Sequence, residues 1–412
     1  MRFSFIHAAD LHIDSPFAGL GVKDPVVAER FEKAGRRAVE ALVKEAVDSQ
    51  AAFLIIAGDV FDGDWKDATT GLFFARALGA LHRAEIPTYI VKGNHDADSV
   101  MSRSLRYPQS VHSFSSNRAE TIELDQYHVA LHGRSFGTRK VPEDFVGSYP
   151  VRHEGWLNIG ILHTGLDGTR GHESYAPCTI DDLKRFGYDY WALGHIHTAE
   201  IVSENPWVVY PGNLQGRSIR ETGSKGAMRI TVEDGRIVEV VPLILDEARW
   251  AHENVDVSAC TDEAEVLNKI KSVLSDLSAG SGGRPLAVRL TLIGKSAIHT
   301  ALKVKQEAIE EESRAIGFHF AEDCWVEQVK IGTSAPSRSS TNTTDHDVLD
   351  VEALIASTAD ELEFTESVSE LLASIVEKLP REMRNELLTD NPEFIRNIVK
   401  QAQDHILGTL LP

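Results

Sequence analysis

The sequence predicts an α/β protein built on buried strands, and three observations carry that expectation. Short apolar runs alternate with helical patterns through residues 1–245, as in strand–helix units. Five of these runs end in motifs of Asp, Asn, His and Gly, and ligand chemistry in open α/β sheets collects beyond the carboxyl ends of strands. After the fifth motif the pattern turns to paired strands with a tight turn, so parallel and antiparallel pairing are both expected.

Taken in order, Phe3–Ile6 is the first strand and leads into Asp10-Leu11-His12. Over Val26–Ser49, Phe31, Ala34, Ala38, Leu42 and Ala46 recur at three- and four-residue spacing, which predicts an amphipathic helix. Phe53–Ala57 is a strand ending in Gly58-Asp59, Ala68–His82 a helix, and Tyr89–Val91 a strand ending in Gly93-Asn94-His95-Asp96. Ile159–Leu162 precedes His163-Thr164-Gly165. A short helix follows over Thr179–Phe186, with Thr179 as its cap before Asp181 and Asp182. Trp191–Leu193 precedes Gly194-His195-Ile196-His197. Ile201–Tyr210 and Ala227–Leu243 read as antiparallel strands, with Glu233-Asp234-Gly235 as a hairpin turn.

Residues 250–330 read as a second, small α/β unit. Its expected parts are a strand at Val255–Val257, a helix near Asp262–Ser278 and a Gly/Ser loop at Ser278–Gly283. A strand at Leu286–Leu292, a helix near Ala301–Ile316 and a strand at Trp325–Ile331 complete it. Thr333–Asp345 has the polar composition of a linker. Residues 346–412 read as helices broken near Pro380 and Pro392, with Leu371, Leu372, Ile375, Leu379, Ile395 and Ile398 among the apolar positions. So short a segment buries little on its own. It either folds back on the body or docks on a partner.

At 412 residues the chain has room for two or three domains, and 42% apolar with 25% charged residues is a soluble globular composition. Met1-Arg2-Phe3-Ser4-Phe5-Ile6 enters the first strand without signal-peptide features. Cys178, Cys260 and Cys324 are odd in number and widely spaced, which suggests neither a disulfide framework nor a zinc knuckle. A reducing cytoplasm is the expected compartment. The net charge of −20 is awkward for a nucleic-acid enzyme, because phosphate binding usually leaves a basic footprint. It is uneven, however. Residues 1–244 carry 26 Lys and Arg against 32 Asp and Glu, whereas residues 245–412 carry 16 against 30. Any nucleic-acid contact is therefore expected to be local.

Residues two apart at a strand end point to one side, so Asp10/His12 and His195/His197 can each aim two ligand atoms at one place. Carboxylate, imidazole and amide ligands without thiolate suit manganese, iron or zinc. A carboxylate at a central strand end, Asp59, can bridge two ions. Such a pair, roughly 3.5–4 Å apart, can lower the pKa of a water and steady a displaced phosphoryl group. The expectation is a dinuclear phosphoester hydrolase. A lone Asp-x-His would mean little, but five such motifs in order mean more. The other twelve of the 17 histidines read as surface or core residues.

The motifs Asp-x-His, Gly-Asp, Gly-Asn-His-Asp, His and Gly-His-x-His, in this order, resemble the calcineurin-like metallophosphoesterases. That resemblance implies a two-sheet metallophosphoesterase sandwich flanked by helices. Ala8-Ala9-Asp10-Leu11-His12, Gly58-Asp59-Val60-Phe61-Asp62 and Tyr210-Pro211-Gly212-Asn213 further resemble DNA double-strand-break repair nucleases of the meiotic-recombination-eleven (SbcD) type, most of all the bacterial YhaO-like branch. By this resemblance, one ion is held by Asp10, His12, Asp59 and His197, and the other by Asp59, Asn94, His163 and His195. The metal is expected to be Mn2+. His95 would face the scissile phosphate, and Asp96 would orient its imidazole. Asp62 stands where some relatives have a second histidine, so its role stays open. Arg217 and Arg220 follow Pro211-Gly212-Asn213 and either reach phosphate or form an ordinary surface pair; Arg103, Arg106, Arg134, Arg139 and Lys140 are weaker candidates.

The same resemblance makes residues 250–330 a capping domain that shapes access to DNA. It makes 346–412 the docking region for an SMC-like ATPase, and a homodimer is compatible with it. Two competing expectations are a phosphodiesterase for nucleotides or cyclic nucleotides, which suits the acidic balance, and a largely non-catalytic scaffold that recruits the ATPase.

Overall fold

A computed structural model describes residues 1–15, 25–62, 69–98, 106–138, 145–166, 176–320 and 324–336, with single helical positions at 364, 367, 368, 371, 399 and 402. The rest of the expected linker and helical tail lies outside the described residues.

In chain order the elements are β1 (Arg2–Ala8), α1 (Pro25–Asp48), β2 (Leu54–Ala57), α2 (Thr69–Arg83), β3 (Thr88–Val91), α3 (Asn94–Asp98), β4 (Val111–Ser113), β5 (Glu120–Leu124) and β6 (Val129–Gly133). Then come β7 (Leu157–His163), α4 (Ile180–Arg185), β8 (Tyr190–Gly194), β9 (Glu200–Glu204), β10 (Trp207–Tyr210), β11 (Gly226–Glu233) and β12 (Arg236–Ile244). The last elements are β13 (Arg249–Asp256), α5 (Glu263–Gly280), β14 (Leu286–Lys295), α6 (His299–Val304), α7 (Gln306–Phe320) and β15 (Cys324–Ser334).

Two six-stranded sheets form the first unit, in the orders β12-β11-β1-β2-β3-β4 and β5-β6-β7-β8-β10-β9. β1 to β4 pair in parallel, as do β6, β7, β8 and β10, while β11, β12, β5 and β9 add antiparallel edges. This is the expected two-sheet sandwich flanked by helices.

Strand alternation explains the layers. Phe5, Ile55, Val91, Ile159, Ile161, Tyr190 and Ile230 fill the space between the sheets. Ile6, Leu54, Ile56 and Ile90 face outward onto Ala38, Val39 and Leu42 of α1 and Phe74 and Leu78 of α2. On the other outer face, Leu162, Trp191, Leu193 and Val208 meet Leu183 of α4 with Phe136, Phe145 and Tyr149. Both faces of each central strand are buried, so those strands read as continuous apolar runs.

The expected cap of α4 is present as a capping box. Thr179 accepts from the Asp182 backbone, and Asp182 reaches back to the Thr179 backbone. The β11–β12 turn places Asp234 at φ 48° and Gly235 at φ 75°, the two positive angles of a type I′ hairpin.

Among the described residues, the second compact unit comprises 252–280 and the elements from residue 288 of β14 to β15, while 281–287 group with the first unit. Its sheet runs β13-β14-β15. Two expectations need correction. β15 continues to Ser334, so the first residues of the expected linker are strand. The expected helix near Ala301–Ile316 is two helices, α6 and α7.

Candidate metal centre

The five motifs converge beyond the carboxyl ends of β1, β2, β3, β7 and β8. Past β1 and β2 the chains keep bonding in parallel: Asp10 N donates to Gly58 O at 3.0 Å, His12 N to Asp59 O at 3.1 Å and Ile13 N to Val60 O at 3.0 Å. The backbone there is not extended, however. Asp10, His12, Asp59 and His195 have φ of 51°, 41°, 51° and 95°. Left-handed non-glycine residues cost about 1–3 kcal/mol each and cluster at functional sites. Asp10 and His12 therefore meet through tight turns, not through the two-residue strand period. Glycine is required where the loops touch. A Cβ on Gly93 would strike the Asp59 carboxylate, and one on Gly194 would strike Ala57 O and His163 Nδ1.

Among the described residues, Asp10, His12 and His197 form one group with ligand atoms within 4.8 Å of one another, and Asp59, His163 and His195 form a second. Asp59 stands between them: its Oδ2 is 3.3 Å from His163 Nε2 and 4.0 Å from His12 Nε2. Asn94 Oδ1 lies 3.0 Å from the same His163 nitrogen. The Asp10 carboxylate accepts the His195 backbone N–H at 2.9 Å. All these residues except His197 are buried.

The donor set fits divalent cations. His163 Nδ1 is 2.9 Å from Ala57 O, and a carbonyl only accepts, so that nitrogen carries the proton. Nε2 is then the atom that meets the oxygens of Asp59 and Asn94, through a second proton in the metal-free protein or through its lone pair on a cation. His12 Nε2 and His197 Nε2 likewise face each other at 3.2 Å, with Asp10 Oδ1 at 4.0 and 3.8 Å. Converging lone pairs in a buried place call for positive charge. The electrostatics agree. Burial alone would lower the His163 pKa, but the charge and hydrogen bond of Asp59, with Asp10 and Ala57 O, lift it to about 9.

A third group, His12, Asp62 and His95, lies at the rim. Asp62 Oδ1 is 2.9 Å from His95 Nδ1 and 3.6 Å from His12 Nδ1, and Asp62 Oδ2 accepts from Ser15 Oγ at 2.7 Å. The hydrogen bond that His95 donates to Asp62 raises the His95 pKa, with Asp59 adding to the effect. The His95 side chain keeps 31% of its exposure. Asp62, not Asp96, is thus the carboxylate that orients His95.

The Asp96 expectation is corrected. Its oxygens accept the backbone N–H groups of Val60 at 3.1 Å, Phe61 at 3.0 Å and Gly93 at 3.2 Å. Asp96 ties the Asp59 loop to the Asn94 loop, and burial followed by the charge of Asp59 raises its pKa to about 6.

Arg217 is near the site but engaged, with Nη2 3.0 Å from Glu221 Oε1 and Nη1 3.7 Å from Asp62 Oδ2. Arg220 is exposed, with its backbone nitrogen bonded to Ser218 Oγ. Arg134 lies over the Phe145 ring and bonds Ser148, away from the ligand groups, while Arg106 is exposed. Arg103, Arg139 and Lys140 lie outside the described residues. Sequence reasoning passed over Ser15 and Glu221. No local periodicity points to Glu221, which lies in a turn and not on a helix.

This sandwich, with carboxylate, amide and imidazole groups gathered at its strand ends, defines a metal-dependent phosphoesterase. The chain belongs to the calcineurin-like metallophosphoesterases. Residues 3–199 match the family described as calcineurin-like phosphoesterase, and residues 250–334 match one described as metallophosphoesterase YhaO, middle domain. The uncharacterized metallophosphoesterase YhaO of Bacillus subtilis is 34% identical over 328 residues, 76% of this chain and 79% of that protein. The DNA double-strand break repair protein Mre11 of Methanopyrus kandleri is 24% identical over 342 residues, 74% of this chain and 71% of that one. A dimetal phosphatase from Danio rerio aligns with a TM-score of 0.35 at 13% identity, over 58% of this chain and 98% of its own. Among the described residues, no helix is long and apolar enough to cross a membrane.

Proposed function

We propose that the protein is a manganese-dependent DNA exonuclease or endonuclease that hydrolyses phosphodiester bonds in DNA repair. The observation that carries the chemistry is Asp59, whose carboxylate lies between two groups of converging ligand atoms. The similarity to a DNA double-strand break repair protein supports the substrate. Asp10, His12, Asp59 and His197 would hold one ion, and Asp59, Asn94, His163 and His195 the other. Bound there, two divalent ions supply Lewis acidity to the phosphoryl oxygens and a lowered pKa to a water.

The chain's own residues do the rest. Asp62 holds His95 by Nδ1, which leaves Nε2 to meet the substrate. His95 donates a proton to the leaving alkoxide as the P–O bond breaks, and Asp62 steadies its charged form. Arg217, already beside Asp62, is the better of the two arginines for a phosphate contact. Partners in this reading are DNA and an SMC-like ATPase docked on the helical region 346–412, and a homodimer is compatible with it. Capture of such an ATPase by a chain ending at 336 would sink the docking idea.

The test is cleavage of end-labelled linear DNA with manganese by wild type, His95→Ala and Asp59→Ala, with metal content measured alongside. His95→Ala should keep metal and lose cleavage, and Asp59→Ala should lose both. The net charge of −20 favours one competing reading, a small-substrate phosphodiesterase. A wild type that holds two metals and hydrolyses small aryl diesters while leaving DNA intact would establish it.

A further inference from the structure

Two of the metal-facing histidines are held at Nδ1 in different ways. His163 Nδ1 gives its proton to a neutral carbonyl, Ala57 O, at 2.9 Å. His197 Nδ1 lies 2.8 Å from a carboxylate, Glu221 Oε1. An ionised carboxylate only accepts, so Nδ1 carries the proton and Nε2 is left to face Asp10 and His12. Arg217 Nη2, 3.2 Å from the same Nδ1, finds its acceptor in Glu221 Oε1 at 3.0 Å.

Glu221 cannot reach inward itself. Its Oε2 accepts Arg217 N at 2.7 Å and Asn213 Nδ2 at 2.9 Å, so both oxygens are engaged. The same loop grips the backbone around His197. Asn213 N and Lys225 Nζ donate to His197 O at 3.3 and 2.9 Å, and Leu214 N donates to Asp10 O at 3.4 Å. The segment from Asn213 to Lys225 thus ties together the two loops that carry Asp10 and His197.

We propose that Glu221 is a positioning residue that sets the affinity of one ion, the one facing Asp10, His12 and His197, and leaves the other largely unaffected. This rests on the ligand assignment proposed above. A carboxylate behind an imidazole fixes its tautomer and raises its basicity, and loss of such partners typically weakens metal affinity by about 10–100-fold. His163, backed by a carbonyl, has no charged partner of this kind at Nδ1 to lose.

The experiment is Mn2+ titration of the metal-free full-length chain by calorimetry. Electron paramagnetic resonance would follow the spin-coupled signal of two neighbouring Mn2+ ions. Wild type, Glu221→Gln, Glu221→Ala and Arg217→Ala would be compared, with melting of each metal-free protein. Wild type should bind two ions. Both Glu221 variants should weaken one ion by about 10–100-fold and keep the other within about twofold, and excess Mn2+ should restore the coupled signal. Arg217→Ala breaks the same ion pair but leaves Glu221 on His197, so it should keep both ions.

Wild-type affinity for both ions in the Glu221 variants would overturn the proposal, as would equal weakening of both ions or an equal loss in Arg217→Ala. A wild type that binds fewer than two ions would overturn the ligand assignment and the proposal together.

Discussion

Two neighbouring acids of the site have opposite duties. Asp62 points at the imidazole of His95, and Asp96 points at three backbone amides. Replacing Asp62 with Asn should lower kcat at saturating metal by about 10²–10⁴-fold, the range of general acid catalysis. Because Asp62 raises the His95 pKa, its loss should also move the alkaline limb of the kcat profile to lower pH. An unchanged pH profile would count against His95 as the acid. Asp96→Ala should instead cost stability, about 1–3 kcal/mol for each buried amide left without a partner. Denaturant unfolding of the metal-free protein measures that, and an unchanged midpoint would refute the bracing role. Sequence order pointed to Asp96 because it adjoins His95. On α3, however, residues next to one another point in different directions, so adjacency was a poor guide.

The elements themselves were largely legible. The periodicity of Phe31 to Ala46 belongs to α1, and Thr179 caps α4. Glu233-Asp234-Gly235 marks the turn between β11 and β12. β4 and β5 carry no such signal, because their half-polar patterns depend on neighbouring strands. The junctions after the strands are set by close contact. Gly194 lies against Ala57 O and the His163 ring, so Gly194→Ala should drive β2 and β8 apart. The expected result is an overpacking cost of about 1–3 kcal/mol and weaker metal binding, read by melting and metal titration. A variant matching wild type in both would show that the loops can give.

At the scale of the whole molecule, pH and metal both bear on stability. His7 is fully buried, with Nε2 on Leu193 O at 3.1 Å and Nδ1 on Tyr190 OH at 3.0 Å, and burial lowers its pKa to about 3 against the pull of Leu193 O. Burial lowers the His132 pKa as well. Between pH 6.5 and about 3 the unfolded chain takes up a proton at His7 that the folded chain refuses. Stability should therefore fall with pH across that window, by up to about 1.4 kcal/mol per unit for each such group. Melting temperatures of wild type and His7→Gln against pH would test this, and parallel curves would refute it. Chelation of divalent ions should lower the melting temperature, and added metal should restore it.

The sequence by itself determined a mixed α/β class and the metal-ligand types, because apolar runs and motif order are local properties of the chain, and the two-sheet sandwich followed from the resemblance that the motifs carry. Only the tertiary structure decided that Asp59 lies between the ligand groups, that Asp62 holds His95 and that Glu221 backs His197. Those pairings join residues 33 to 104 positions apart, or a loop beyond β10 to one beyond β8, and no local periodicity encodes distances created by packing two sheets together.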